Sequence, residues 1–225
     1  MIKNKKDSFK ALLESWNDLE NQNFFHNYKM TNIHSVLITG ANRGIGLEFV
    51  KQFIKLGSNN VNYIIASCRN PEKASELNDL AKVNENLNIL KLDVKDYSKY
   101  NEFYNNLFSI VGDKGLDLLI NNAGILIRSE LDDITPEKMI ENFEINTVTP
   151  LMLTKSLLPL LKLSAQSKKR TIVANISSKI GSIDDNTSGG RYAYRASKTA
   201  LNQVTKSLSV DLKSFGIECT AIHPG

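Results

Sequence analysis

The sequence predicts a single-domain α/β fold, a doubly wound parallel sheet with helices on both faces. Three observations carry this. From His34 onward, short apolar runs alternate with stretches of helical periodicity, the pattern of a parallel sheet covered on both sides. A glycine-rich turn, Thr39-Gly40-Ala41-Asn42-Arg43-Gly44-Ile45-Gly46, joins the first apolar run to the first helical stretch. The length of 225 residues fits one α/β domain.

Taken in order, the strands are expected near Val36–Thr39, Tyr63–Ala66, Leu87–Leu92, Leu116–Ile120, Thr171–Ile176 and Ile217–Ile222, each a short apolar run. The helices between and after them are expected near Gly44–Leu56, Pro71–Val83, Tyr97–Val111, Pro136–Asn146, Pro150–Gln166 and Tyr192–Phe215. The domain covers 34–225. Residues 1–33 read as an extension in which Phe9, Leu12, Leu13, Trp16 and Leu19 recur at helical spacing. That is either a short amphipathic helix for a partner or membrane surface, or a loosely packed tail, which is the preferred reading. Met30 could serve as an alternative translation start, and residues 1–29 are expected to be dispensable.

Hydrophobic residues make up 41% and charged residues 23%, with a net charge of +4, ordinary for a globular protein. The basic clusters Lys3, Lys5, Lys6 and Lys168, Lys169, Arg170 lack interleaved aromatics, so no nucleic acid is expected. Two cysteines, Cys68 and Cys219, are too few for a disulfide framework and point to a reducing compartment, with the cytoplasm as default. No apolar run reaches the roughly 18 residues needed to span a bilayer. No membrane partner and no metal are expected.

The glycine turn has the spacing G-x-x-x-G-x-G between a strand and a helix. Glycines let the backbone approach a pyrophosphate, and the helix N-terminus offers free N–H groups to it. Gly40, Asn42, Arg43, Gly44, Ile45 and Gly46 are therefore expected to bind a dinucleotide, in a Rossmann-type domain. After the second strand stands Ser67-Cys68-Arg69-Asn70, with no acid to hold a ribose 2′-hydroxyl. Arg43 and Arg69 could grip a 2′-phosphate instead, each charge-assisted bond contributing about 1.5–3 kcal/mol, so NADP(H) is the expected cofactor. Either arginine could equally be a plain surface charge. Asp93, followed by Val94, ends the third strand, where its carboxylate can accept from the adenine amino group or simply cap the next helix.

Tyr194 and Lys198 stand four apart on a predicted helix and so share a face. A phenol titrates near 10, and a neighbouring ammonium is expected to lower that value, making Tyr194 an acid for a carbonyl oxygen. Tyr192 is the rival, but four residues on it meets Ala196. Ser178, after the fifth strand, could hold the substrate oxygen. Taken singly, the Tyr–Lys pair could be packing and the serine turn chemistry.

The Thr39–Gly46 loop, Asn121-Asn122-Ala123-Gly124, Asn146, Ser178, Tyr194, Lys198 and Pro224-Gly225 occur in this order. Together they resemble the short-chain dehydrogenase/reductase family, and Thr39–Glu48 with Tyr192–Asp211 resemble its C-factor-like and sniffer-like carbonyl reductases. The resemblance implies that Asn121, Asn122, Ala123 and Gly124 line the nicotinamide side, with Pro224 and Gly225 also at the cofactor. It implies that Asn146 kinks its helix and holds a water in a proton relay with Lys198. Lys198 would also bind the ribose hydroxyls, with Ser178 positioning the carbonyl and Tyr194 as acid. Without the rest of the set, Asn146 would read as a solvent-facing amide. Two departures stand out. The interval from Ser178 to Tyr194 is longer than usual and contains Asp184-Asp185-Asn186 and Ser188-Gly189-Gly190, which reads as a flexible loop. The sequence also ends at Gly225, where the family continues with a further loop and a last strand, so the domain is expected to be C-terminally incomplete, lacking its last strand.

The leading expectation is hydride transfer from NADPH to an aldehyde, ketone or quinone, a small-molecule carbonyl substrate, by a chain for which a homodimer is an open expectation. The rival is a non-catalytic dinucleotide-binding or truncated regulatory protein.

Overall fold

A computed structural model describes residues 33–167 and 170–224. The expected N-terminal helix, Met30, Lys168, Lys169 and Gly225 lie outside the described residues.

Six strands form one sheet: β1 (Ile33–Thr39), β2 (Val61–Cys68), β3 (Leu87–Lys91), β4 (Leu118–Asn121), β5 (Thr171–Ile176) and β6 (Ile217–Ile222). All neighbours pair in parallel, in the order β3-β2-β1-β4-β5-β6. The helices are α1 (Gly44–Leu56), α2 (Ser75–Lys82), α3 (Tyr100–Val111), α4 (Pro136–Phe143), α5 (Thr149–Gln166) and α6 (Tyr192–Asp211).

Strand side chains alternate between faces, and both faces are covered. Val36 and Ile38 of β1, Ile64 of β2 and Ile120 of β4 pack with Leu47, Phe49, Val50 and Phe53 of α1 and Leu77 of α2. Leu37, Ile65, Leu119 and Val173 point the other way, onto Phe103 and Leu107 of α3 and Leu153, Leu157 and Leu160 of α5. Burial on two faces is why the strands read as nearly continuous apolar runs. Phe49 and Phe53, one helical turn apart, are fully buried, and truncating either to alanine would cost about 3–5 kcal/mol.

The strand order reverses direction at β1, which lies between β2 and β4. Chain leaving the carboxyl ends of β1 and β4 therefore diverges to opposite faces and opens a crevice there, the usual ligand position in such sheets.

Several boundaries differ from expectation. Strand β1 begins at Ile33, so the last residue of the expected extension belongs to the sheet. Strand β4 starts at Leu118: the Asp117 N–H goes to Ser35 Oγ at 3.3 Å, and its carboxylate accepts the His34 N–H at 2.6 Å and the Ser164 hydroxyl at 2.8 Å. The helix expected from Pro71 is a 3₁₀ turn, Pro71–Lys73, followed by α2. Helix α6 stops at Asp211 rather than Phe215. The largest correction concerns the junction of Pro136–Asn146 with Pro150–Gln166, where the helical backbone is not interrupted. A π-helical turn, Glu144–Val148, joins α4 to α5 with helical backbone at both junctions. In it the Thr149 N–H reaches past Ile145 to the Glu144 carbonyl, and the Thr149 hydroxyl covers the Ile145 carbonyl at 2.7 Å.

Candidate active site

At the end of β1, the Thr39 hydroxyl oxygen accepts the backbone N–H groups of Asn122 at 3.0 Å and Ala123 at 2.9 Å. The Asn122 amide donates in return to the carbonyls of Thr39 at 2.8 Å and Gly40 at 3.3 Å. These bonds stitch together the loops that follow β1 and β4. Gly46 backs onto the seam: a β-carbon there would lie 2.5 Å from the Asn122 amide nitrogen and collide with the Gly40 carbonyl, so only glycine fits. Asn42, Arg43 and Gly44 are exposed and Ile45 is half-buried. Arg43 is the N-cap of α1 and supplies no side-chain cap, so the first N–H groups of the helix, at the positive end of its dipole, are left to an anion.

The Ala41 N–H donates to the Ser67 carbonyl at 3.0 Å. That bond joins the loop carrying Arg43 to the strand end carrying Arg69, which is also exposed. Asp93 and Val94 are half-buried. One carboxylate oxygen of Asp93 accepts the Lys95 N–H at 3.0 Å, and the Val94 carbonyl accepts the Tyr100 hydroxyl at 2.6 Å. Asp93 thus closes a local turn and is not a helix cap, since the 3₁₀ turn that follows, Tyr97–Lys99, starts from Asp96.

Asn121 does not line the crevice as expected. It is buried, and its amide donates to Asn175 Oδ1 at 2.8 Å and Thr154 Oγ1 at 3.2 Å. The Asn175 amide donates onward to Thr205 Oγ1 at 2.8 Å. The result is a polar ladder crossing the sheet from α5 through β4 and β5 to α6. An amide in a strand between apolar faces needs such partners, and the alternation along β4 sends Asn121 inward while Asn122 and Gly124 face the crevice.

Ser178 follows β5 and opens a 3₁₀ turn, Lys179–Gly181, while Tyr194 and Lys198 lie on α6. Ser178 hydrogen-bonds the Tyr194 phenol. The Lys198 ammonium lies 5.7 Å from the centre of the Tyr194 ring and donates to the Ile176 carbonyl at 2.7 Å. Asn146, in the π turn, donates to the Ile125 carbonyl at 2.9 Å and Ser197 Oγ at 3.0 Å, and accepts the Ile125 N–H at 2.9 Å. Ser197 Oγ donates to the Tyr194 carbonyl at 2.8 Å. Asn146 thus fixes both the loop after β4 and the start of α6. Asn146 is buried, not a solvent-facing amide. Tyr192, the rival tyrosine, is exposed and absent from the crevice lining.

Burial pushes the Tyr194 phenol above its ordinary range, only partly offset by its bond to Ser178. The lowering expected from Lys198 is not among the influences on the phenol in this crevice, where burial is the largest. Burial pulls Lys198 itself down to about 8.

These groups meet in one crevice of about 280 Å³, lined by Ile45, Asn122, Gly124, Ser178, Tyr194, Lys198 and Pro224 among others. A model of the short chain dehydrogenases matches residues 34–225. The chain belongs to the short-chain dehydrogenase family. Within it the chain is similar to the carbonyl reductase Sniffer of D. melanogaster, at 42% identity and a TM-score of 0.84, over 86% of this chain and 81% of that one. An NADPH-bound carbonyl reductase from chicken fatty liver matches at 39% identity and a TM-score of 0.83, over 87% and 77%. An uncharacterised oxidoreductase of Schizosaccharomyces pombe is 35% identical over 84% of this chain and 71% of its own length.

Sequence reasoning missed several residues of this dehydrogenase site. Thr39 was legible only as a turn residue. Ser197, three residues after Tyr194, is placed by helical spacing to bridge Tyr194 and Asn146. His223 lines the crevice, and its Nδ1 accepts the Lys179 N–H at 3.0 Å, holding the turn after Ser178. Ile125 and Leu126 form the apolar side of the crevice. No sequence periodicity marks these last three.

Proposed function

We propose that the chain is an NADPH-dependent reductase of carbonyl compounds, aldehydes, ketones or quinones, acting through Ser178, Tyr194 and Lys198. The observation that carries the reading is the convergence of these three with Asn122 and Gly124 in one crevice at the carboxyl ends of the strands.

The residues present fit the dinucleotide. Gly46 lets the glycine turn close against Asn122, and a β-carbon built on Gly44 meets nothing within 4 Å, leaving room for a pyrophosphate at the uncapped start of α1. Gly40, Asn42, Arg43, Gly44, Ile45 and Gly46 would hold it, with Arg43 and Arg69 on the 2′-phosphate. Asp93 and Val94 would flank the adenine, while Asn122, Ala123, Gly124 and Pro224 flank the nicotinamide. Bound NADPH supplies the hydride to the carbonyl carbon.

Ser178 donates to the carbonyl oxygen and orients it toward Tyr194. Tyr194 gives its proton to that oxygen, completing the alcohol. Lys198 has three N–H donors, one of them used on Ile176. The other two are free for ribose hydroxyls and for a water that resupplies the proton. The α-helical donor to the Asn146 carbonyl would be residue 150, which is a proline. That carbonyl therefore lacks its i+4 bond and suits the same water. The relay runs from solvent through Asn146 and Lys198 to Tyr194. Two free cysteines suit a reducing, cytoplasmic setting. Among the described residues no helix is long and apolar enough to cross a membrane.

The test is NADPH oxidation by the purified chain against a carbonyl panel. Aldehyde-, ketone- or quinone-dependent oxidation is expected. NADPH binding without any carbonyl-dependent oxidation would favour the non-catalytic rival.

A further inference from the structure

Between Ser178 and Tyr194, His223 and Thr199 hold the first turn, and one side chain bridges that turn to the far end of the loop. Arg195, next to Tyr194 on α6, donates from Nε to the Gly190 carbonyl at 3.2 Å, from Nη1 to the Ile180 carbonyl at 3.2 Å and from Nη2 to Ser188 Oγ at 2.8 Å. Its guanidinium thus ties the turn at the start of the loop to its closing segment. A planar fork with five N–H donors can do this, and a lysine ammonium cannot span the same three acceptors.

The far end of the loop docks on the chain that follows β4. The Arg191 N–H donates to the Ser129 carbonyl at 3.0 Å. Gly190 abuts the Glu130 carboxylate so closely that a β-carbon there would strike it. Gly189, Gly190 and Arg191 have φ of 62, 63 and 52°, and Arg191 is the one non-glycine residue in this region of backbone space among the described residues. Such backbone persists only where surrounding contacts impose it. The same stretch after β4 lines the crevice through Ile125 and Leu126. The loop therefore runs from the Tyr194 side of the crevice to its apolar side.

We infer that Arg195 is a positioning residue which holds residues 182–191 as a fixed wall and so sets the size of carbonyl compound that reaches Tyr194. This rests on the proposed reductase reading. On this reading the loop between Ser178 and Tyr194 is braced by Arg195 beside the crevice those two residues line.

The experiment compares the whole chain with its Arg195→Ala, Arg195→Lys and Gly190→Ala variants in two measurements. The first is hydrogen exchange of residues 182–191, which needs no activity. Arg195→Ala should speed it by about tenfold or more, with Arg195→Lys restoring little. The second is KM and kcat for a small aliphatic aldehyde and a polycyclic quinone. The KM ratio of the two should change by about fivefold or more in Arg195→Ala, with kcat for the small aldehyde within about twofold. Gly190→Ala, which strains the left-handed backbone at the residue whose carbonyl Arg195 holds, should move the ratio the same way. Unchanged exchange overturns the clamp. Faster exchange with an unchanged KM ratio overturns the positioning role. If the unaltered chain reduces no carbonyl, the functional reading falls, and the exchange result still decides the clamp.

Discussion

The Lys198 ammonium donates to the Ile176 carbonyl at 2.7 Å, from a side chain only 5% exposed. A buried cation with one backbone acceptor is held at a cost, and that cost has a sign that can be tested. The folded protein lowers the lysine from 10.5 to about 8, so folding disfavours the charged form. The penalty is fully present below about pH 8 and disappears as pH rises past the unfolded value near 10.5. At pH 7 it amounts to about 3 kcal/mol, and replacing the lysine by methionine gives back about 1–2 by leaving the Ile176 carbonyl without its donor. Lys198→Met should therefore raise stability by about 1–2 kcal/mol at pH 7 while abolishing turnover. Urea melts across pH 7 to 10 should show the advantage shrinking. A variant less stable than the parent at pH 7 would contradict the penalty.

Tyr194→Phe removes the proton donor and keeps the ring. Carbonyl reduction should fall by about a hundredfold or more, with NADPH affinity within a few-fold. Ser178→Ala should lower kcat less, because Tyr194 retains its proton without it. Steady-state kinetics with fluorescence titration of NADPH separates the two effects. Near-normal turnover in the phenylalanine variant would show that another group is the acid.

The proposed grip on the 2′-phosphate rests on two exposed arginines beside the Ala41–Ser67 bond. Arg69→Glu should lower the preference for NADPH over NADH by about tenfold or more, from the loss of one charge-assisted bond of about 1.5–3 kcal/mol. Titration of both cofactors into parent and variant measures it. An unchanged ratio would remove Arg69 from the site.

Asn121→Ala should act on stability rather than on the cofactor. It strands Asn175 Oδ1 inside the sheet and leaves a cavity, costing about 2–4 kcal/mol. NADPH affinity measured below the melting range should change less than about threefold. A large loss of affinity with unchanged stability would restore Asn121 to the cofactor site.

The strand–helix alternation and the glycine turn were readable because each depends on local periodicity and on one backbone constraint. The strand order then brought Asn122, Gly124, Ser178, Tyr194 and Lys198 together, as their positions after strands and on one helix face implied. What could not be read depends on distant partners. Asn121 turns away because Asn175 and Thr154 await it, a pairing set by sheet register. The direction of the Tyr194 shift depends on burial, which no four-residue spacing reports. Pro150 looked like the start of a new helix, because the widened turn that accommodates it is fixed by Thr147 bonding the Ser197 carbonyl at 2.8 Å and by Thr149 bonding back to Ile145.

That widened turn also sets the angular phase of α5 relative to α4. An α-helix advances about 100° per residue, and a π turn inserts roughly one residue beyond the regular count. Helix α4 rests on α6, whereas α5 lays Leu153, Leu157 and Leu160 on the sheet. A uniform helix through Glu144–Val148 could satisfy one of these partners and would swing the other face aside by about 100°. Deleting one residue from this turn would therefore not shorten a loop. It would rotate all of α5 about its own axis, lifting a leucine row out of the core while α4 stayed seated. Among the connections in this chain, this is one where length variation is closed off by geometry rather than by contact with any ligand.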